Sequence, residues 1–130
     1  MTRLLALLAL AAAAIVPSAD ASAKTGFEFG RSGGSIRPFT VTIATSGKVT
    51  AAGAAPEHRA TLTKQQLANL NRVAFVTHFE TLPATTSCPG TLPDVAAQSI
   101  RVGARTVRVH GSCVSRFNRL WTALNRATTP

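Results

Sequence analysis

Three histidines, two cysteines and five carboxylates are the groups in this 130-residue chain whose types could support catalysis or metal binding. His58, His78 and His110 are spread along the sequence without the short ligand spacing of a zinc site, so they read as structural or surface histidines and no metal is expected. A nucleophile needs a base beside it. His110 stands near Ser112 and Cys113, but two positions on a strand merely share a face, and no Gly-x-Ser-x-Gly elbow occurs. Past residue 23 the carboxylates are Glu28, Glu57, Glu80 and Asp94, and glycosidase-type chemistry would require two of these to converge. Gly33-Gly34 within Arg31-Ser32-Gly33-Gly34-Ser35 resembles a phosphate cradle in composition alone. Such a loop leads into a helix N-terminus, whereas this one leads into strand-like sequence and reads as a turn or bulge. The expectation is therefore a protein that is not an enzyme and carries no cofactor.

Cys88 and Cys113 are expected to pair as a disulfide, because two cysteines in an oxidising compartment usually do. Neither a Cys-x-x-Cys motif nor a neighbouring basic residue marks a reactive thiol. The compartment is read from the N-terminus. Arg3 precedes an apolar run from Leu4 to Val16, and small residues follow up to Ala21-Ser22-Ala23. Those are the parts of a cleavable bacterial-type signal peptide over residues 1–23. The run stops at Pro17, short of the roughly 20 residues of a spanning helix, so no transmembrane segment is expected after cleavage. Residues 24–130 are left as one small domain, secreted or periplasmic.

Removing Arg3 and Asp20 with the leader leaves the formal charge of +9 unchanged. Arginine carries most of it. Such a surplus suits acidic partners, either an acidic protein surface or an anionic envelope polymer. Nucleic acid is not expected. Export argues against it, the chain has no Tyr, and its Phe residues are needed for the core rather than for base stacking.

The elements that would position these groups follow from periodicity. Phe27 and Phe29 alternate with Gly26, Glu28 and Gly30, and Phe39, Val41 and Ile43 alternate with Thr40 and Thr42, giving two strands. Thr45-Ser46-Gly47 is a turn into a third strand over 48–51, and a loop over 52–60 follows. Thr63 and Gln66 form a capping box, and Leu67, Leu70, Ala74, Phe75 and Phe79 recur at helical spacing, which predicts a helix over 63–79. Residues 88–94 read as loop, with Asp94 opening the next strand. Ile100, Val102, Val107 and Val109 flank Gly103-Ala104 as a hairpin. Ser112 is placed to cap a final helix bearing Phe117, Leu120, Trp121 and Leu124. The class is α+β: an antiparallel sheet of four to five strands in the order β-β-β-α-β-β-α, with both helices on one face. Phe39, Val41, Ile43, Ile100, Val102, Val107 and Val109 then form the core. Thr40, Thr42, Ser99, Arg101, Thr106, Arg108 and His110 line an open face.

The basic residues divide between two places. Arg101 and Arg108 fall on the open sheet face, whereas Arg116, Arg119 and Arg126 run along the last helix away from its apolar stripe. Arg101, Arg108, Arg116 and Arg119 are the candidate partner-binding residues. The layout resembles the emfourin-type small bacterial proteins, whose characterised member inhibits a thermolysin-like metallopeptidase. The resemblance rests on Arg31 to Gly34 after the first strand, Phe79-Glu80-Thr81-Leu82-Pro83 closing the first helix, Asp94 before the hairpin, and the terminal Leu-rich helix. The chain departs from that pattern in continuing Ser35-Ile36-Arg37 without a third glycine, and in its cysteine pair and leader. The resemblance implies a binding domain rather than an enzyme, with protease inhibition as one outcome. The alternative expectation is a basic protein held to anionic polymers or membrane of the cell envelope by charge.

Overall fold

The computed structural model describes residues 25–130; the expected signal peptide, residues 1–23, lies outside them. Six strands form one mixed sheet: β1 (Thr25–Ser32), β2 (Phe39–Ala44), β3 (Val49–Gly53), β4 (Thr85–Ser87), β5 (Ala97–Val102) and β6 (Arg105–His110). Their spatial order is β3-β2-β1-β5-β6-β4. The α+β class holds, with one strand more than expected and one parallel pair. That extra strand is β4, which lies parallel to β6 with Thr86 opposite Val109. It was hidden because Thr85-Thr86-Ser87 has no apolar alternation, and backbone pairing rather than burial places it: Arg108 N–H donates to Ala84 O and Cys88 N–H to His110 O, both at 2.8 Å.

Alternation decides which face is buried. Phe27, Phe29, Val41, Ile43, Ile100, Val107 and Val109 all point to one side and are almost fully covered, while Phe39 and Val102, at the sheet margins, are half-buried. The same core takes in Leu70 and Ala74 of helix α1 (Lys64–Val76) and Phe117, Leu120, Trp121 and Leu124 of helix α2 (Ser115–Thr128). Both helices therefore cover the same sheet face. Trp121 meets Phe29 edge-on, with ring centroids 5.5 Å apart.

The capping box of α1 is present in both directions: Gln66 N–H donates to Thr63 Oγ1 at 3.1 Å and Thr63 N–H to Gln66 Oε1 at 2.8 Å. The helix ends earlier than its periodicity predicts. Phe75 points outward and is 75% exposed, so Phe79, one turn further on, would have followed it into solvent. Instead His78 adopts a left-handed conformation (φ 50°), and a 3-10 turn over Phe79–Thr81 brings Phe79 and Leu82 into the core. The entry to α2 also differs from expectation. Val114, not Ser112, occupies the N-cap position and offers no side-chain cap. Gly111, at φ 114°, turns the chain here, and a Cβ at this position would lie 2.5 Å from Cys88 Cβ. Asp94 belongs to the loop ahead of β5 rather than to the strand.

Candidate binding surface

The Cys88–Cys113 disulfide, with Cα atoms 5.7 Å apart, joins the end of β4 to the start of α2. It anchors one end of the loop 88–96. That loop meets the loop 33–38, which leaves β1, through Ser35 N–H donating to Asp94 O at 3.1 Å. The junction depends on glycine: Gly34 has φ 61°, and a Cβ there would sit 2.4 Å from Asp94 O. Together the two loops carry three of the large exposed apolar residues, Ile36, Leu92 and Val95. Apolar side chains exposed on two loops that are joined to each other are suited to contact with another molecule.

A pocket lies on each side of this loop pair. The pocket on the open sheet face has a volume of about 290 Å³ and includes Ser32, Thr85, Ser87, Val95, Arg108 and His110 in its lining. Arg108, on β6, reaches across β5 to donate from Nη1 to Ser32 Oγ on β1 at 2.9 Å. Between them β5 presents only the small residues Ala97 and Ser99, registered opposite Ser32 and Arg108. His110 Nε2 lies 2.8 Å from Val95 O; a carbonyl can only accept, so this nitrogen carries the hydrogen. The ring is thereby committed to holding the loop, and Cys113, close to it in sequence, is taken up in the disulfide. No carboxylate lines this pocket among the described residues. A guanidinium with unused donors, flanked by hydroxyls, can hold a carboxylate or another oxyanion there.

The second pocket, about 640 Å³, lies on the helix side and includes Arg31, Ile36, Asp94, Gln98 and Trp121 in its lining. Arg31 Cζ stands 5.4 Å from the Trp121 ring centroid, a cation–π contact that holds the guanidinium at the end of the sheet. Ile36, Leu92 and Val95 went unrecognised as surface residues in the sequence, where Arg31 and Ser32 were read only as part of a turn or bulge. The available signal was weak: apolar residues set among Gly and Pro in segments without periodicity.

The sequence-derived arginines do not gather in one site. Arg101 is exposed on the open face but turns away from Arg108, its Nε donating to Gly103 O at 2.9 Å. It lies opposite Glu28 in register without forming an ion pair; the one close contact between a basic side chain and a carboxylate among the described residues is His78 Nδ1 to Glu80 Oε1 at 3.7 Å. Arg116 is engaged within the fold: Nη1 is shared between Thr77 O, His78 O and Thr81 Oγ1 at 3.2, 3.3 and 2.9 Å, the last turn of α1 and the 3-10 segment beyond it. Arg119 lies on the outer side of α2 with Arg126. His58 packs on its own chain neighbour, Nδ1 being 2.9 Å from Arg59 O. No three His, Cys, Asp or Glu side chains converge in a metal-binding group among the described residues, and none of the described helices is long and apolar enough to cross a membrane. The chain matches no family model, no curated protein and no solved structure.

Proposed function

We propose that the protein is a non-catalytic exported binding domain that recognises an acidic protein surface, with inhibition of a peptidase as one outcome of that recognition. The observation that carries the reading is Arg108. Its guanidinium is held by Ser32 over a pocket that no carboxylate among the described residues lines, beside paired loops exposing Ile36, Leu92 and Val95. A partner carboxylate entering beside Arg108, with apolar side chains against the loops, would combine a charged anchor with apolar contact. The test is a pull-down with the oxidised protein from its own secreted or periplasmic fraction, in parallel with an Arg101→Glu/Arg108→Glu variant. One specific protein should survive high salt on the wild type and be lost from the variant. Equal capture by both would remove the sheet face from the contact, and a captured peptidase would bring inhibition forward for direct assay.

A second reading is charge-driven association with anionic envelope polymers or membrane. It is favoured by the placement of Arg101 and Arg108 on the sheet face and of Arg119 and Arg126 on the helix layer, which spreads positive charge over both sides. Association of that kind should be released from envelope fractions between low and moderate salt, as screening shortens to about 8 Å at physiological ionic strength. Retention insensitive to salt would exclude it.

A further inference from the structure

A groove larger than the pocket beside Arg108, open and of about 720 Å³, runs along the outer side of the helix layer, between α1 and α2. The two helices run antiparallel: Arg59, just ahead of α1, donates its N–H to Thr128 O at the end of α2, and Arg116 at the start of α2 donates to Thr77 O at the end of α1. Val73, Ala123 and Ala127 form its half-buried apolar floor and pack down onto the core. Two alanines on one wall keep the groove shallow, so that a partner backbone can approach closely.

The charge along the rim is one-sided. Arg119 and Arg126 stand on the α2 wall, while the α1 wall offers the amides of Gln65, Gln66 and Asn69; no carboxylate lines the groove among the described residues. Neither arginine enters an ion pair with a described residue. They are seven residues apart, which is about two helical turns or roughly 10.5 Å along the axis. A second copy of the chain is a poor occupant, because a symmetric pairing would bring both Arg119 and Arg126 residues into one apolar seam. A helix laid along the groove with carboxylates at positions i and i+7 matches the repeat of the arginines, and its small apolar side chains match the floor.

We infer that the α1–α2 groove is a docking site for an amphipathic acidic helix of a partner protein, separate from the surface around Arg108. The domain would then have two recognition faces and could bridge two partners. The probe is a capped, amidated peptide of Ala and Leu with Glu at i and i+7 beside the apolar stripe, titrated into the 15N-labelled oxidised protein at low ionic strength. Resonance shifts should be confined to the neighbourhood of Asn69, Val73, Arg119 and Ala123. Arg119→Glu/Arg126→Glu should weaken binding at least tenfold, and Arg101→Glu/Arg108→Glu should leave it within twofold. The inference is overturned if the shifts fall on the sheet face, if the Arg119/Arg126 variant binds as well as wild type, or if the peptide with Gln for Glu binds equally. Disordered polyglutamate of the same charge binding as tightly would overturn the helical occupant. Failure of the groove to bind would leave the contact proposed at Arg108 standing, since the pull-down tests that contact separately.

Discussion

Arg116 and Arg119 lie one turn apart on the same helix and carry the same charge, yet they should behave oppositely when truncated. The Arg116 guanidinium reaches the carbonyls of Thr77 and His78 and the hydroxyl of Thr81, at 2.9 to 3.3 Å. Thr77 is buried, and its own hydroxyl is already committed to Val73 O at 2.7 Å. Removing Arg116 therefore leaves carbonyls at the C-terminal end of α1 without their cationic donor. A charge-assisted hydrogen bond is worth about 1.5–3 kcal/mol where shielded, and a cation at an exposed helix C-terminus about 0.3–1 kcal/mol. Because Arg116 is itself exposed, the lower part of this combined range applies, and Arg116→Ala should cost about 1–2 kcal/mol. For a domain of about this size that corresponds to roughly 4–16 °C in melting temperature. Arg119→Ala should stay within about 0.5 kcal/mol, as a surface change without such partners. Arg116→Lys should recover only part of the loss, because a point charge on a flexible stem replaces a planar fork. Urea unfolding of the three variants, followed by the fluorescence of Trp121, measures all of this. Equal stabilities for Arg116→Ala and wild type, or an equal cost at Arg119, would refute the capping role.

Two further perturbations test the scaffold of the binding surface. Replacing Cys88 and Cys113 by Ser opens a loop of 25-residue separation. The chain-entropy relation gives about 3.5 kcal/mol for that loop, so the denaturation midpoint should fall sharply, and a loss below about 1 kcal/mol would mean that the disulfide does not restrain the unfolded chain as supposed. Gly34→Ala should cost at least about 1 kcal/mol, from the positive φ and the approach to Asp94 O, and should weaken capture of any partner at the loops; wild-type stability with wild-type binding would show that the loop junction is dispensable.

The central strands and the inner helix faces were legible because burial writes a period into the sequence. Val41, Ile43, Ile100, Val107 and Val109 alternate, and Phe117, Leu120 and Leu124 recur by turns. Where position is set by backbone pairing, by chain reversal or by a guanidinium finding carbonyls, no such period exists. β4 consists of three hydroxyl residues held by parallel pairing with β6. The end of α1 is fixed by the left-handed His78, because Phe75 and Phe79 have opposite fates although they are spaced for one face. Helical spacing identified both as apolar but could not say which would be buried.

The same limitation explains why the arginines could be placed on elements but not assigned roles. Arg116 closes the end of α1, and Arg59, from a segment read as loop, does the same for α2: its N–H donates to Thr128 O at 2.7 Å and its Nε to Thr129 O at 2.8 Å. Arg105, on β6, donates to Leu82 O beneath the 3-10 turn. Three arginines of an apparently surplus charge are thus cationic donors to backbone carbonyls where elements end, a role that demands charge and reach but no sequence pattern. Net charge therefore overstates what a partner can see. The recognition proposed above can draw only on guanidiniums that stay turned to solvent or pocket, among them Arg108 beside the paired loops and Arg119 with Arg126 along the helix groove. A partner selected by total charge would be indifferent to which arginine is removed; one selected by these sites would respond to Arg108 or to Arg119 and Arg126, and not to the loss of the charge at Arg59.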